Sequence, residues 1–487
     1  MALPYPEGTA ASAADSEQRS LVKINELMSL LTASGGGPHA DTHAAAGSDP
    51  VTLSTSQITG LDAALAAASV SATTVSAAIG DFTNAQSDAA LTALGSNRPC
   101  HRELRAWHAK LHHAVSGNAQ LLKVGLLGDS WAGANFWTGP VARGLARAVG
   151  TSAPGWINLG NVAAGYSTAA DRTQITAGPT LTNWADASVI TYGLSGLTIN
   201  STTNGATAAF TIGAGAVLTG DTIRVWFGKS DNNASEFQFS MDNGSTPAAC
   251  SAQYPGRNDG TLGSLVGATT IDAYDPYGTQ KMIYADFTVP TDGPLQCVIT
   301  KVGTQVVRIA GVEVIPVSRK AVTVAKWGVS GKKWADWVDA TGGILQASGW
   351  YAPDVVVYLL GNNDQAGSSP VSVASSVASA TTVLAQYPAA TEKLILGPPD
   401  NFVAAKPVPM ADFRAGYKAL AESLGYAYVD LQAWAGVAGT DYTTSGTGHA
   451  LAWYDTLHPI NAATQNEGVA ASFITRAVLD TLLPGYV

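Results

Sequence analysis

The sequence predicts an α/β protein. A parallel sheet with helices is interrupted by an inserted β-sandwich and preceded by an N-terminal helical, coiled-coil stalk. Three observations lead there. Short apolar strands separated by helical segments recur at 122–127, 322–325, 355–360, 394–396 and 427–431, the rhythm of βαβ units. From about Tyr166 to Val317 the texture changes to short alternating runs split by Gly, Asn and Asp, the spacing of a sandwich. Ahead of both, an unbroken apolar seam steps by three and four residues from Ile58 to Phe82, the pattern of a and d positions in a coiled coil.

Taken in order, Ser16–Ala33 places Leu21, Ile24, Met28 and Leu31 on one helical stripe, which Gly35-Gly36-Gly37-Pro38 stops. His39 and His43 follow in a polar segment reaching Pro50. Their spacing of four could ligate a metal across three chains, though polar turn residues are the commoner explanation. The seam helix is otherwise Ala, Ser and Thr with almost no charge. It would be marginal alone, so association into a homotrimer is the expectation. Arg102, Arg105, His108, Lys110, His112 and His113 read as a solvated helix leading into the next domain. The strand at Leu122–Leu127 opens the α/β part, and Thr222–Phe227 and Val312–Ile315 typify the inserted strands. The parse is 1–57, 58–120, 121–165, 166–317 and 318–487.

Composition sets the outer limits. The formal net charge is −10, which gives no global basic field for nucleic acid or anionic lipid. Charged residues make up 13%, about half the ~25% usual in soluble chains, and 46% hydrophobic residues exclude disorder of the whole chain. No apolar run approaches the ~18–20 residues that span a bilayer. The opening Met1–Gly8 has neither a basic nor an apolar region, so no signal peptide is expected. Three cysteines, Cys100, Cys250 and Cys297, exclude a disulfide scaffold and a zinc ribbon. Cys250 and Cys297 are read either as a pair or as two buried thiols.

Four short motifs follow apolar strands, where open parallel sheets carry their active sites. They are Gly128-Asp129-Ser130, Gly328-Val329-Ser330-Gly331, Gly361-Asn362-Asn363-Asp364 and Asp455-Thr456-Leu457-His458. A serine hydroxyl needs a neighbouring base to become a nucleophile, and the base needs a partner to orient it. A glycine lets a backbone N–H approach a developing oxyanion, and a side-chain amide adds a further donor. Asp129 and Asp364 read as structural carboxylates. Trp131, Trp334 and Trp453 stand beside the motifs, where indoles could stack on sugar faces; Trp327 and Trp337 flank the second motif.

In order and context these blocks resemble the SGNH (GDSL) hydrolase superfamily, over about Leu121–Val149 and Val322–Leu483. The resemblance implies a three-layer α/β/α domain and a serine esterase that uses no cofactor or metal. It implies Ser130 as nucleophile, His458 as general base and Asp455 as its orienting acid. The Ser130 and Gly331 N–H groups and the Asn363 amide would form the oxyanion hole. Lys332-Lys333 departs from the acidic or polar residue often found after the second-block glycine. The N-terminal order, with the stretch from Pro38 to Leu61, resembles bacteriophage tail fibres and receptor-binding tail proteins. That implies a virion protein acting outside the cell on a host cell-surface polysaccharide, with phage tail or baseplate proteins as partners. The inserted sandwich looks like a carbohydrate-binding one. The expected activity is removal of O-acetyl or similar groups. The alternative is a glycan-binding adhesin on a vestigial scaffold.

Overall fold

A computed structural model describes residues 102–160, 169–187, 194–255, 263–275, 282–339, 343–366, 369–403, 406–436, 438, 442–443, 451–452, 457–458 and 472–484, all within the compact unit Gln86–Val487. The Ile58–Phe82 seam, His39, His43, Cys100, Trp453 and Asp455 lie outside the described residues.

Six strands form one parallel sheet. They are β1 (Leu121–Gly128), β2 (Ser152–Ala153), β3 (Ala321–Gly328), β4 (Val355–Leu359), β5 (Glu392–Gly397) and β6 (Ala427–Asp430), in the order β6-β5-β4-β1-β3-β2. Successive side chains point to opposite faces of a strand, and each face here is buried. Leu122, Val124 and Leu126 of β1 share a face with Val322, Val324, Val355, Val357, Leu394 and Leu396. Covering it are α1 (Arg105–Val115), α3 (Thr138–Val149) and α8 (Ser472–Leu482); the short α2 (Ser130–Gly133) lies between β1 and α3. The opposite face presents Leu127, Ala325, Trp327, Val356, Tyr358 and Ile395. It packs on α4 (Gly343–Tyr351), α6 (Val373–Ala385) and α7 (Met410–Leu424); α5 (Asn362–Ala366) follows β4.

The basic stretch before β1 is not a connector. α1 buries Trp107, Leu111 and Ala114 while Arg105, His112 and His113 stay exposed. The Glu392 carboxylate accepts the Ala106 and Trp107 N–H groups at 2.7 and 2.8 Å, and Trp107 Nε1 donates to the Leu482 carbonyl. The first turn of a helix leaves such N–H groups without partners, and here a distant strand supplies one. Residues 104–115 thus pack as part of the parallel-sheet layer.

Between α3 and β3 lie two antiparallel sheets. One orders the strands 252–253, 282–288, 222–228, 307–315, 198–201 and 185–187, and Trp156–Ile157 also pairs with 307–315. The antiparallel region therefore begins before Tyr166. The other orders 271–272, 236–240, 295–302, 207–212 and 175–182. The sheets face each other through Phe227–Phe237 and Phe239–Phe287, with ring centroids 5.0 and 4.9 Å apart. Cys250 and Cys297 are buried free thiols, so the pairing considered above is absent.

This region shares its core with the parallel sheet. Trp156 packs on Trp226, Trp327 and Tyr351, and Trp350 of α4 meets Tyr284 and Tyr254. Lys123 of β1 pairs with the buried Glu313 at 2.5 Å, and Glu313 accepts from Trp226 Nε1. Arg224 pairs with Asp286 and lies 3.6 Å over the Tyr284 ring. Gly311 is required here because a Cβ would lie 2.6 Å from the Trp156 ring. The insertion is welded to the parallel layer.

Candidate active site

The register of the parallel sheet brings three motifs to one level. Gly128 pairs with Gly328 on one side and Leu359 on the other. Ser130, Gly331 and Asn363 follow these residues within a few positions, at the carboxyl edge of adjacent strands. Both glycines are needed for close packing: a Cβ on Gly128 would lie 2.8 Å from the Leu359 carbonyl, and one on Gly328 would strike the Gly133 backbone. Gly361 has φ +119°, and its Cβ would meet Tyr417 at 2.9 Å.

Ser130 opens α2, with Asp129 as its N-cap; Asp129 Oδ1 accepts the Trp131 N–H at 2.9 Å. Ser130 is 4% exposed. Its Oγ lies 3.0 Å from His458 Nε2, within direct proton-transfer reach. Phe136 meets the imidazole edge-on at a centroid distance of 6.2 Å. The Asn363 amide donates to Asp129 Oδ2 at 3.1 Å and to the Lys332 carbonyl at 3.2 Å. It therefore ties the Ser130 turn to the loop carrying Gly331. Gly331 itself is exposed, with φ +74° and open space around it. The Ser130 and Gly331 N–H groups make no hydrogen bond to a described residue.

Two buried carboxylates brace this arrangement. Burial pushes Asp129 up to about 7, with the nearby Asp364 charge adding to the rise and the Trp131 N–H and Asn363 amide opposing it. Burial likewise raises Asp364 above the usual carboxylate range. Asp364 accepts from Ser376 Oγ at 2.6 Å and from the Trp334 N–H at 3.3 Å, fixing the second motif's loop against α6.

The tryptophans are corrected. Trp131 and Trp334 are both 0% exposed, so neither offers a face to a sugar. Trp334 stacks on Tyr358 at 5.7 Å, and Trp131 of α2 is buried in the cluster that holds Leu122, Val124 and Leu126. Trp327 and Trp337 are core as well. An indole beside a motif closes the strand-end layer because burying a large ring stabilises it more than leaving it wet. The Phe136 edge contact and the Lys332 carbonyl carried no signal in the sequence. Nor did Asn362, whose buried amide has no hydrogen-bond partner among the described residues. Those residues also contain no cluster of His, Cys, Asp or Glu suited to a metal.

Among solved structures, a peptidoglycan O-acetylesterase aligns with a TM-score of 0.55 at 15% identity, covering 77% of this chain and 96% of that one. A share that large exceeds the parallel-sheet segments and takes in the antiparallel region. The likeness is one of fold, and it bears out a mixed α/β fold with a parallel sheet and an additional β region. A carbohydrate acetylesterase family member from Sinorhizobium meliloti aligns at 17% identity, TM-score 0.25, over 33% of this chain and 80% of that one. A catalytic mutant of an acetylxylan esterase from Geobacillus stearothermophilus aligns at 19%, TM-score 0.26, over 34% and 74%. No protein-family model and no curated protein sequence matches the chain.

Proposed function

We propose that the protein is a serine ester hydrolase that removes acyl groups, acetyl foremost, from a polysaccharide. One observation carries the reading: Ser130 Oγ sits 3.0 Å from His458 Nε2 at a strand end where the Ser130 and Gly331 N–H groups are unengaged by described residues. The fold shared with a peptidoglycan O-acetylesterase supports an ester of a carbohydrate.

In this reading His458 Nε2 takes the hydroxyl proton as Ser130 Oγ attacks the ester carbonyl carbon. The carbonyl π pair moves onto oxygen, where the two N–H groups receive it; each such donor is worth about 2.7–4 kcal/mol to the transition state. Collapse expels the sugar oxygen, which takes the proton back from His458. Water then repeats the sequence on the acyl-enzyme. Asp455 would hold the imidazole tautomer. Asn363 joins as third donor only by turning one N–H away from the Lys332 carbonyl or Asp129. That occupied amide favours the rival reading, a glycan-binding adhesin on a vestigial scaffold.

Turnover of a small acetyl ester separates the two. The wild-type chain should hydrolyse it, and Ser130→Ala should lose several orders of magnitude with an unchanged melting temperature, as in other serine triads. Equal rates in both proteins would end the esterase reading.

For residues before 102 the proposal is a tail-borne homotrimer. It would be part of the virion, joined to phage tail or baseplate proteins, and would act outside the cell on host cell-surface polysaccharide. The Ile58–Phe82 seam and the tail-fibre-like Pro38–Leu61 stretch support it. By sedimentation, the full chain should be trimeric and a chain beginning at Arg102 monomeric; equal stoichiometry in both would refute the seam's role.

A further inference from the structure

A second cleft lies at the other edge of the sheet from Ser130. It has a volume of about 720 Å³ and sits between the carboxyl end of α3, the start of β2 and two turns of the antiparallel region, 173–174 and 214–216. That is the size of a small-molecule site, and such sites favour boundaries between substructures. Arg319, one of its walls, immediately precedes β3, whereas Gly331 follows that strand's far end. The eight residues of β3 at ~3.3 Å each put roughly 26 Å between the two edges.

Three arginines, Arg143, Arg147 and Arg319, line this cleft, on a chain whose net charge is −10. Arg143 and Arg147 stand one turn apart on α3, where like charges cost a few tenths of a kcal/mol. The negative end of the helix dipole favours Arg147 in the last turn. Arg319 Nη2 is held by Asp221 at 2.7 Å, while its buried Nε has no hydrogen-bond partner among the described residues. Across the cleft Gln174 donates to Ser152 Oγ, and its buried Oε1 is likewise without a partner among them. A buried donor and a buried acceptor left open are costly unless something fills them. Among the described residues no aromatic side chain lines the cleft, so they offer no stacking on a neutral sugar face. The donors suit a carboxylate, which guanidinium binds by paired N–H groups, and Thr173, Ser152 and Gln174 suit hydroxyls.

We infer that this cleft is a second binding site for a carboxylate-bearing saccharide, distinct from the Ser130 centre. It would hold an acidic segment of a polymer while another segment is processed. That the anion belongs to a saccharide rests on the proposed function; the anion site itself does not. Occupancy at two places on one polymer raises its effective concentration at Ser130 and leaves small esters unaffected.

The test is calorimetric titration of the full chain with trigalacturonate, neutral xylotriose and inorganic phosphate as separate probes. Trigalacturonate should bind saturably with a Kd of roughly 1 mM or below. The affinity should fall at least tenfold in Arg147→Glu, fall less in Arg147→Lys, and weaken at high salt. Small-ester turnover should be equal in all three proteins, which separates this result from any failure of the esterase reading. Equal binding of xylotriose, equal binding of phosphate, no binding, or no effect of Arg147→Glu would each overturn the inference. So would a change of sedimentation in Arg147→Glu without saccharide binding, because the cleft would then hold a second copy of the chain.

Discussion

The two faces of the parallel sheet are covered in unlike ways. On one, aliphatic side chains of the strands meet the apolar faces of three helices, α1, α3 and α8, Trp107 and Phe473 among them. The other is joined to the antiparallel region by tryptophans and by a charge pair taken out of water, Lys123 with Glu313. An apolar seal tolerates volume-conserving exchange, whereas a buried ion pair fails when one partner is removed. The difference teaches that the insertion acts as part of the parallel-sheet layer's core.

Deletion tests the comparison with the largest effects. A chain beginning at Leu121 loses α1 and uncovers the aliphatic face, so it should not melt cooperatively, while one beginning at Arg102 should. Replacing residues 156–315 by a Gly-Ser linker uncovers the aromatic face and should abolish cooperative melting as well. A linker variant that folds normally would mean that the insertion is an independent module. Point changes come next. Trp107→Ala should cost about 3–5 kcal/mol by denaturant titration, in the range for large aromatic truncations. Glu313→Gln leaves Lys123 beside an uncharged partner and should cost a comparable ~3 kcal/mol. A loss under ~1 kcal/mol would show that the ionic side is no more brittle than the aliphatic one.

The near-continuous apolar runs in β1, β3, β4, β5 and β6 made the parallel sheet legible, because strands buried on both faces carry Val and Leu at nearly every position. The pairing of Ser130 with His458 was legible too, through motifs at strand ends. The ionic and aromatic side was not. A Trp beside a functional motif looks the same in sequence whether it faces a sugar or a core, and partners such as Lys123 and Glu313 are 190 residues apart. α1 was misread because its exposed basic face outweighs three buried positions in composition.

A smaller effect concerns Asp129. Its carboxyl is raised to about 7 chiefly by burial, so the neutral form is favoured in the folded state. The stability this gives is complete below the ordinary carboxylate value and is lost as pH rises through about 7. Asp129→Asn should lack that slope, so melting curves of the two proteins should diverge in its favour between pH 5 and pH 8. Parallel curves would place the proton elsewhere.

The most direct measurement of the central claim is covalent trapping of the nucleophile. A fluorophosphonate should label the full chain once, and peptide mass spectrometry should locate the adduct on Ser130. Labelling should vanish in Ser130→Ala and slow by at least ~100-fold in His458→Ala, the scale of general-base assistance. An adduct on another residue, or none on a wild-type chain that melts cooperatively, would contradict the assignment of Ser130 and His458 as a catalytic pair.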